Sequence, residues 1–170
     1  MNPIINIILN DGKTIKVELM PEYAPKTVAN FLKLVNERFF DGIIFHRIIK
    51  NFMIQTGGYY IENNTLCEKD CAETIIGEFS ANGIKNDLKH TAGTISMART
   101  QVKDSASSQF FICSVDCPHL DGQYAAFGRV VDEESLKNVI SVSEVQTGIL
   151  SPAFTNFPYE PLFIKTIELL

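Results

Sequence analysis

The sequence predicts a mainly β fold: a mostly antiparallel sheet of about eight strands closed into a barrel, with two helices over its open ends. Three observations carry this. About eight stretches have strand-like alternation or short apolar runs, only two carry a helical stripe, and strands and helices never alternate in the order a parallel sheet requires. A chain of 170 residues fits one domain, residues 1–170. At that length a chain buries roughly 70% of the surface its unfolded form exposes, so its core needs no staple.

The elements follow in order. Ile5, Ile7 and Leu9 alternate, Asn10-Asp11-Gly12 turns, and Ile15, Val17 and Leu19 alternate again, which reads as a hairpin over residues 4–19. Pro21 and Pro25 end the extended chain. From Pro25, with proline well placed in a first turn, Val28, Phe31, Leu32 and Val35 recur at helical spacing. Phe39, Phe40 and the Asp41-Gly42 turn lead into Ile43–Gly58, a strand-like segment ending in a glycine pair. Residues 59–86 lose periodicity and read as a long surface excursion. Thr91–Ala98 and Ser107–Ser114 are strands, a turn follows at Asp121-Gly122, and Tyr124–Val131 is a short strand. Glu133–Val145 reads as the second helix, with Leu136, Val139 and Ile140 on one face and acidic residues at its positive end. Pro152, Pro158 and Pro161 make the tail irregular before a last strand, Phe163–Leu169.

Composition excludes several classes. Apolar residues make up 45% and charged residues 21%, as in ordinary soluble domains. A net charge of -5 and the lack of a basic run argue against nucleic acid and anionic membrane as partners. The N-terminal apolar run is broken by Asn6 and Asn10 and has no basic leader, so we expect a cytoplasmic protein that does not span a membrane. Cys67, Cys71, Cys113 and Cys117 form two C-x3-C pairs. In a reducing compartment these are free thiols, and neither a metal nor a redox role is expected.

The segment IIFHRIIKNFMIQTGG is the unusual one. Alternation sends Arg47, Ile49 and Asn51 one way and Ile48 and Lys50 the other. Arg47 cannot lose its charge, and a charge beside so much apolar surface is costly unless it meets partners or water in a cleft. By periodicity alone Phe52, Met53, Phe110 and Phe111 are core residues. In SSQFF, Gln109 and Phe111 share a face and Phe110 takes the other. His46 and His90 have no nucleophile elbow or zinc motif around them and read as satisfied structural histidines.

Four runs in order, FHRIIKNFMIQTGG, LKHTAGTISMAR, SSQFFI and LDGQYAAFG, preceded by APKTVANF, resemble the cyclophilins over roughly residues 20 to 131. With GEFSANG and KNDLKH, the chain is most similar to the short single-domain bacterial members. The resemblance implies a closed eight-stranded antiparallel β-barrel capped by two α-helices, and peptidyl-prolyl cis-trans isomerase activity without a cofactor. It implies Arg47 as the catalytic residue. Substrate would be bound by Phe52, Met53 and Gln55, by Ala98, Arg99 and Thr100, by Gln109 and Phe111, and by His119, Leu120 and Tyr124. The implied partners are proline-containing peptides and unfolded protein clients, met by a monomer.

The residue types suit that chemistry. Rotation about an X-Pro bond breaks no bond and moves no proton, so the site needs neither nucleophile, base nor metal. It needs donors for the nitrogen of a twisted amide, supplied by Arg47, and an apolar pocket to hold the proline ring. Gln55 and Gln109 can bond the substrate or orient Arg47, and the main chain at Arg99 can pair with an extended peptide. Two departures stand out. Many eukaryotic cyclophilins carry tryptophan at the position of His119 and histidine at that of Tyr124, which implies weakened cyclosporin binding. Arg99-Thr100 replaces an Asn-Ala pair, so a second cation is expected in the groove, with a bias toward acidic peptides. A non-catalytic proline-peptide binding module or chaperone is the alternative reading.

Overall fold

The hairpin expected at the N-terminus forms from β1 (Ile4–Leu9) and β2 (Thr14–Leu19), whose alternate residues are buried throughout. Gly12 takes φ 91° in its turn, where a side chain would be strained. The computed structural model describes residues 1–170. Helix α1 (Pro25–Asn36) follows, then β3 (Phe45–Ile49) and β4 (Met53–Thr56). β7 (Thr94–Met97), β8 (Phe110–Cys113), β9 (Ala126–Val130), helix α2 (Glu133–Ser143) and β12 (Ile164–Leu169) complete the main framework. Between them lie two small pairs: β5 (Tyr59–Glu62) with β6 (Thr65–Glu68), and β10 (Thr147–Gly148) with β11 (Phe157–Pro158).

Eight strands make one antiparallel sheet in the order β12-β1-β2-β9-β7-β8-β4-β3. The expected closure is an overstatement. The two outer strands share no ladder and meet only at the bridge between Ile44 and Phe163, with bonds such as Phe45 N–H to Leu162 O at 2.9 Å. The sheet is therefore strongly curled, and the proline-bearing approach to β12 keeps that seam from pairing residue by residue. Inside it lies a cluster of 28 buried apolar residues. Phe31 of α1 is its hub, with ring centroids 5.1 Å from Phe40, 5.2 Å from Phe110 and 5.3 Å from Phe127. No helix is long and apolar enough to cross a membrane.

Two expectations need correction. The excursion from Tyr59 is not wholly irregular, because Asn63 and Asn64 both take positive φ, 52° and 58°, and join β5 to β6 as a hairpin. Asparagine tolerates that conformation, which the tightest hairpin turns require. On α2, Ile140 is exposed, while Ser135, Val139, Val142 and Ser143 are buried. Hydrogen bonds place the helix on β2: Lys16 N–H donates to Ser135 Oγ at 2.8 Å, and Asn138 Nδ2 donates to Thr14 O at 2.7 Å. An apolar stripe could not reveal a face that docks partly through polar atoms.

The aperiodic run after β6 has an anchor. Helix α1 starts at Ala24 without a side-chain cap, and the buried carboxylate of Glu78 takes that role. It accepts from Thr27 N–H at 2.6 Å, Thr27 Oγ1 at 2.7 Å and Lys26 N–H at 3.2 Å. A negative group at the positive end of a helix is favourable, and here it ties a distant loop to the framework.

Candidate active site

The local device that builds the site is a register shift in β3. Phe45 pairs with Thr56, but Arg47 pairs with Gln55, so His46 is an extra residue without a partner on β4. Strict alternation from Phe45, which is in the core, would send Arg47 into the barrel. The bulge turns it outward instead, and Ile48 returns to the core. Arg47 thus shares the outer face of the sheet with Gln55 of β4.

That outer face carries a second, smaller apolar cluster of Met53, Phe111, Cys113, Cys117 and Leu120, with Phe52, Ala98 and Tyr124 packed against it. A cavity of about 150 Å3 opens on it, lined by Arg47, Phe52, Met53, Gln55, Ala98, Arg99, Phe111, Leu120 and Tyr124. Nine of the twelve residues anticipated for the site therefore converge. Gln109 stands just behind: Arg47 Nη1 donates to Gln55 Oε1 at 3.2 Å, and Gln55 Nε2 donates to Gln109 Oε1 at 3.1 Å. This relay fixes one edge of the guanidinium. Arg47 has no carboxylate within ion-pair distance, so its charge is left uncompensated at the cavity wall.

His119 sits at the rim, exposed, its ring 5.6 Å from that of Phe52. Thr100 is outside the lining, with its hydroxyl bonded to Ser105 Oγ at 2.9 Å in the loop that follows β7. Arg99 lines the cavity differently from the expectation. Its guanidinium is sandwiched between the rings of Phe79, at 4.8 Å, and Tyr124, at 4.7 Å, and donates to Gln123 O at 2.7 Å and Thr100 O at 2.9 Å. It is a clamp on Tyr124 rather than a free charge waiting for an acidic peptide. Its main-chain N–H and C=O have no partner within the chain and remain open to an extended peptide. Phe79 was hidden from sequence reasoning because it lies in the aperiodic run.

The histidines differ. His90 is buried beneath Phe111, its Nδ1 3.1 Å from Asp121 Oδ1 and its Nε2 2.9 Å from Ser96 Oγ. A carboxylate only accepts, so Nδ1 carries the proton and the Ser96 hydroxyl donates to Nε2. Burial lowers the His90 pKa, opposed by Asp121. This trio looks like a hydrolase triad, yet Ser96 is fully buried and has no route to a substrate. His46 is not satisfied in the same way: it is 6% exposed and its Nδ1 has no partner. Burial, and secondarily the charge of Arg47, push its pKa down to about 4. The cysteines are all free thiols. Cys113 and Cys117 are buried, and burial raises both thiol pKa values, which disfavours the reactive thiolate.

A curled antiparallel sheet with an arginine-walled apolar cleft on its outer face, fed by an open main-chain edge, defines a peptide-handling site of the cyclophilin kind. Residues 4–168 match the family model described as cyclophilin type peptidyl-prolyl cis-trans isomerase. The chain belongs to that family. It is 37% identical over 169 residues to peptidyl-prolyl cis-trans isomerase A of Dickeya dadantii, covering 96% of this chain and 83% of that one. A cyclophilin type isomerase from Cryptosporidium parvum superposes with a TM-score of 0.78 at 26% identity, covering 100% of this chain and 98% of the other. A second structure of the Cryptosporidium protein, determined in the presence of the dipeptide Ala-Pro, gives 0.77 at 26% identity, covering 98% of each chain.

Proposed function

We propose that this protein catalyses cis-trans rotation about X-Pro bonds in extended peptides and unfolded segments, with Arg47 as the catalytic residue. The observation that carries the reading is the uncompensated Arg47 guanidinium at the wall of an apolar cavity the size of one small ring. The equilibrium needs no help, because trans is favoured by only about 0.5 to 1 kcal/mol, while the barrier is about 18 to 20 kcal/mol. Twisting the bond localises the lone pair on the prolyl nitrogen, which becomes an acceptor. Arg47 is placed to donate to it, and the Gln55–Gln109 relay holds the guanidinium before the twist begins, so the donor needs no reorganisation in the transition state.

Phe52, Met53, Phe111 and Leu120 hold the ring while the chain on the other side of the bond turns. They also exclude water, which strengthens the arginine's effect. The open main chain of Arg99 asks only for an extended segment, which supports unfolded chains as the substrate class. Weakened cyclosporin binding belongs to the same reading, since the rim carries His119 where an indole would give more contact area.

A protease-coupled assay on an Ala-Pro peptide tests the proposal. Wild type should exceed the spontaneous rate, and Arg47→Ala should lower kcat by about 10²-fold or more with little change in peptide affinity. A wild type no faster than the spontaneous reaction would leave the non-catalytic binding module as the better reading, and an Arg47→Ala variant as fast as an active wild type would take the catalytic role from Arg47.

A further inference from the structure

A second cavity opens on the far side of Arg47 from the apolar pocket. Its volume is about 230 Å3, and it shares Arg47 and Gln55 with its neighbour, so the guanidinium stands on the partition between them. The remaining walls include His46, Tyr59, Phe154 and Asn156. Three of these are ring-bearing and packed edge to face: Tyr59 is 5.1 Å from Phe154 and 4.7 Å from His46. Phe154 comes from the tail between β10 and β11. That tail is fastened to β3 by Ile48 N–H donating to Asn156 O at 3.0 Å, so the wall is part of the framework.

The second observation is the His46 imidazole. It is buried in this wall with Nδ1 unpartnered, so it adds the surface of a ring to the cavity rather than a hydrogen-bonding group that a polar ligand would need. Burial and Arg47 keep the ring neutral, so it offers a dipole and no charge. The one cation in the lining is Arg47, which can take the face of an incoming ring as well as a hydrogen-bond acceptor.

We propose that this cavity is a binding subsite for an aromatic side chain flanking the substrate proline. The inference rests on the isomerase reading for the placement of proline in the neighbouring pocket. With proline there, the adjacent residue's Cα lies about 3.8 Å away, which carries its side chain over the guanidinium partition. An aromatic ring meets Phe154 and Tyr59 edge to face and Arg47 through its π-face. An acidic side chain would instead pair with Arg47 and compete with its role at the prolyl nitrogen.

The test uses four peptides, Ala-Ala-Pro-Ala, Ala-Ala-Pro-Phe, Ala-Phe-Pro-Ala and Ala-Ala-Pro-Glu, followed by exchange NMR for turnover and amide-shift titration for binding. One phenylalanine peptide should bind wild type about fivefold more tightly than the alanine peptide. It should also shift the amides of Tyr59 and Ala153. That ratio should fall to about one in Phe154→Ala, and also in Ala153→Trp, which fills the cavity mouth without removing a wall. A ratio that survives both variants, a preference for neither phenylalanine peptide, or a stronger preference for glutamate overturns the subsite. Failure of wild type to accelerate exchange of any peptide would sink the isomerase reading separately, because the binding ratio decides the subsite without turnover.

Discussion

Strand β8 contributes Phe110 and Ile112 to the cluster of 28 residues inside the barrel, and Phe111 and Cys113 to the cluster of five on the outside. The inner group is enclosed on every side, so its side chains answer only to packing. The outer group is open at the cavity, and its exposed edge is met by a charge, two amides and a clamped tyrosine. A single strand, sampled one residue apart, therefore provides stability on one face and a place for substrate on the other.

Replacing neighbours on the two faces tests that division. Phe110→Ala should cost about 3–5 kcal/mol by transfer plus an enclosed void. Phe111→Ala leaves no enclosed void, so it should cost about 1.5–3 kcal/mol while raising KM for a proline peptide. Urea midpoints with kinetics would show whether the penalties separate, and equal stability costs with unchanged KM would erase the distinction.

The glycine pair beside the relay makes a second contrast. Gly57 has φ +106° and a Cβ there would lie 2.4 Å from Ser108 O, a backbone atom that cannot yield. Gly57→Ala should therefore cost about 2–3 kcal/mol. At Gly58 the obstacle is the Gln109 amide, 2.6 Å away at Nε2, which can swing aside. Gly58→Ala should stay within about 1 kcal/mol of wild type yet lower kcat/KM roughly three- to tenfold, by releasing Gln55 and with it Arg47. If Gly58→Ala is kinetically silent, the relay does not position the arginine.

His46 gives a pH signature. Burial holds its pKa at about 4 in the folded chain, below the 6.5 of an ordinary histidine. Between those values the unfolded chain binds a proton that the folded chain does not, so stability falls as pH drops through 6.5 and stops falling below about 4. The loss should be on the order of 3 kcal/mol at its fullest and missing from His46→Phe, as urea titrations at stepped pH would show. Parallel pH profiles for the two proteins would contradict it. The smallest change is at the rim: His119→Trp should tighten cyclosporin binding roughly tenfold in titration calorimetry, about 1.4 kcal/mol.

Much of this was legible in the residues. Alternation placed Gln109 and Phe111 together and opposed Phe110 to them, and it put Arg47 with Ile49 against Ile48, as the structure has them. The resemblance gathered the cleft from four separate runs. Periodicity failed where side chains bond rather than bury. Ser135 and Asn138 on α2, and Glu78 beneath α1, settle their elements through hydrogen bonds, so an apolar pattern carries no trace of them. Phe154 and Tyr59 were silent because a cavity wall built from a proline-bearing tail and an exposed hairpin has no period at all. Arg99 was visible as a cation, but its stacking partners, Phe79 and Tyr124, lie on distant stretches of chain.

The extra residue in β3 has a further consequence, for insertions and deletions rather than substitutions. Removing His46 would close the bulge into a plain ladder, with Phe45 still opposite Thr56 and Arg47 opposite Gln55, so the guanidinium stays outward, whereas removing Arg47 or Ile48 would turn the rest of the strand over and carry core side chains toward water. The Asn63–Asn64 turn, exposed and remote from the core, can absorb a change in length. Among length variants of this protein, survivors should therefore crowd into that hairpin tip, and within β3 the loss of His46 should be the change that keeps the fold.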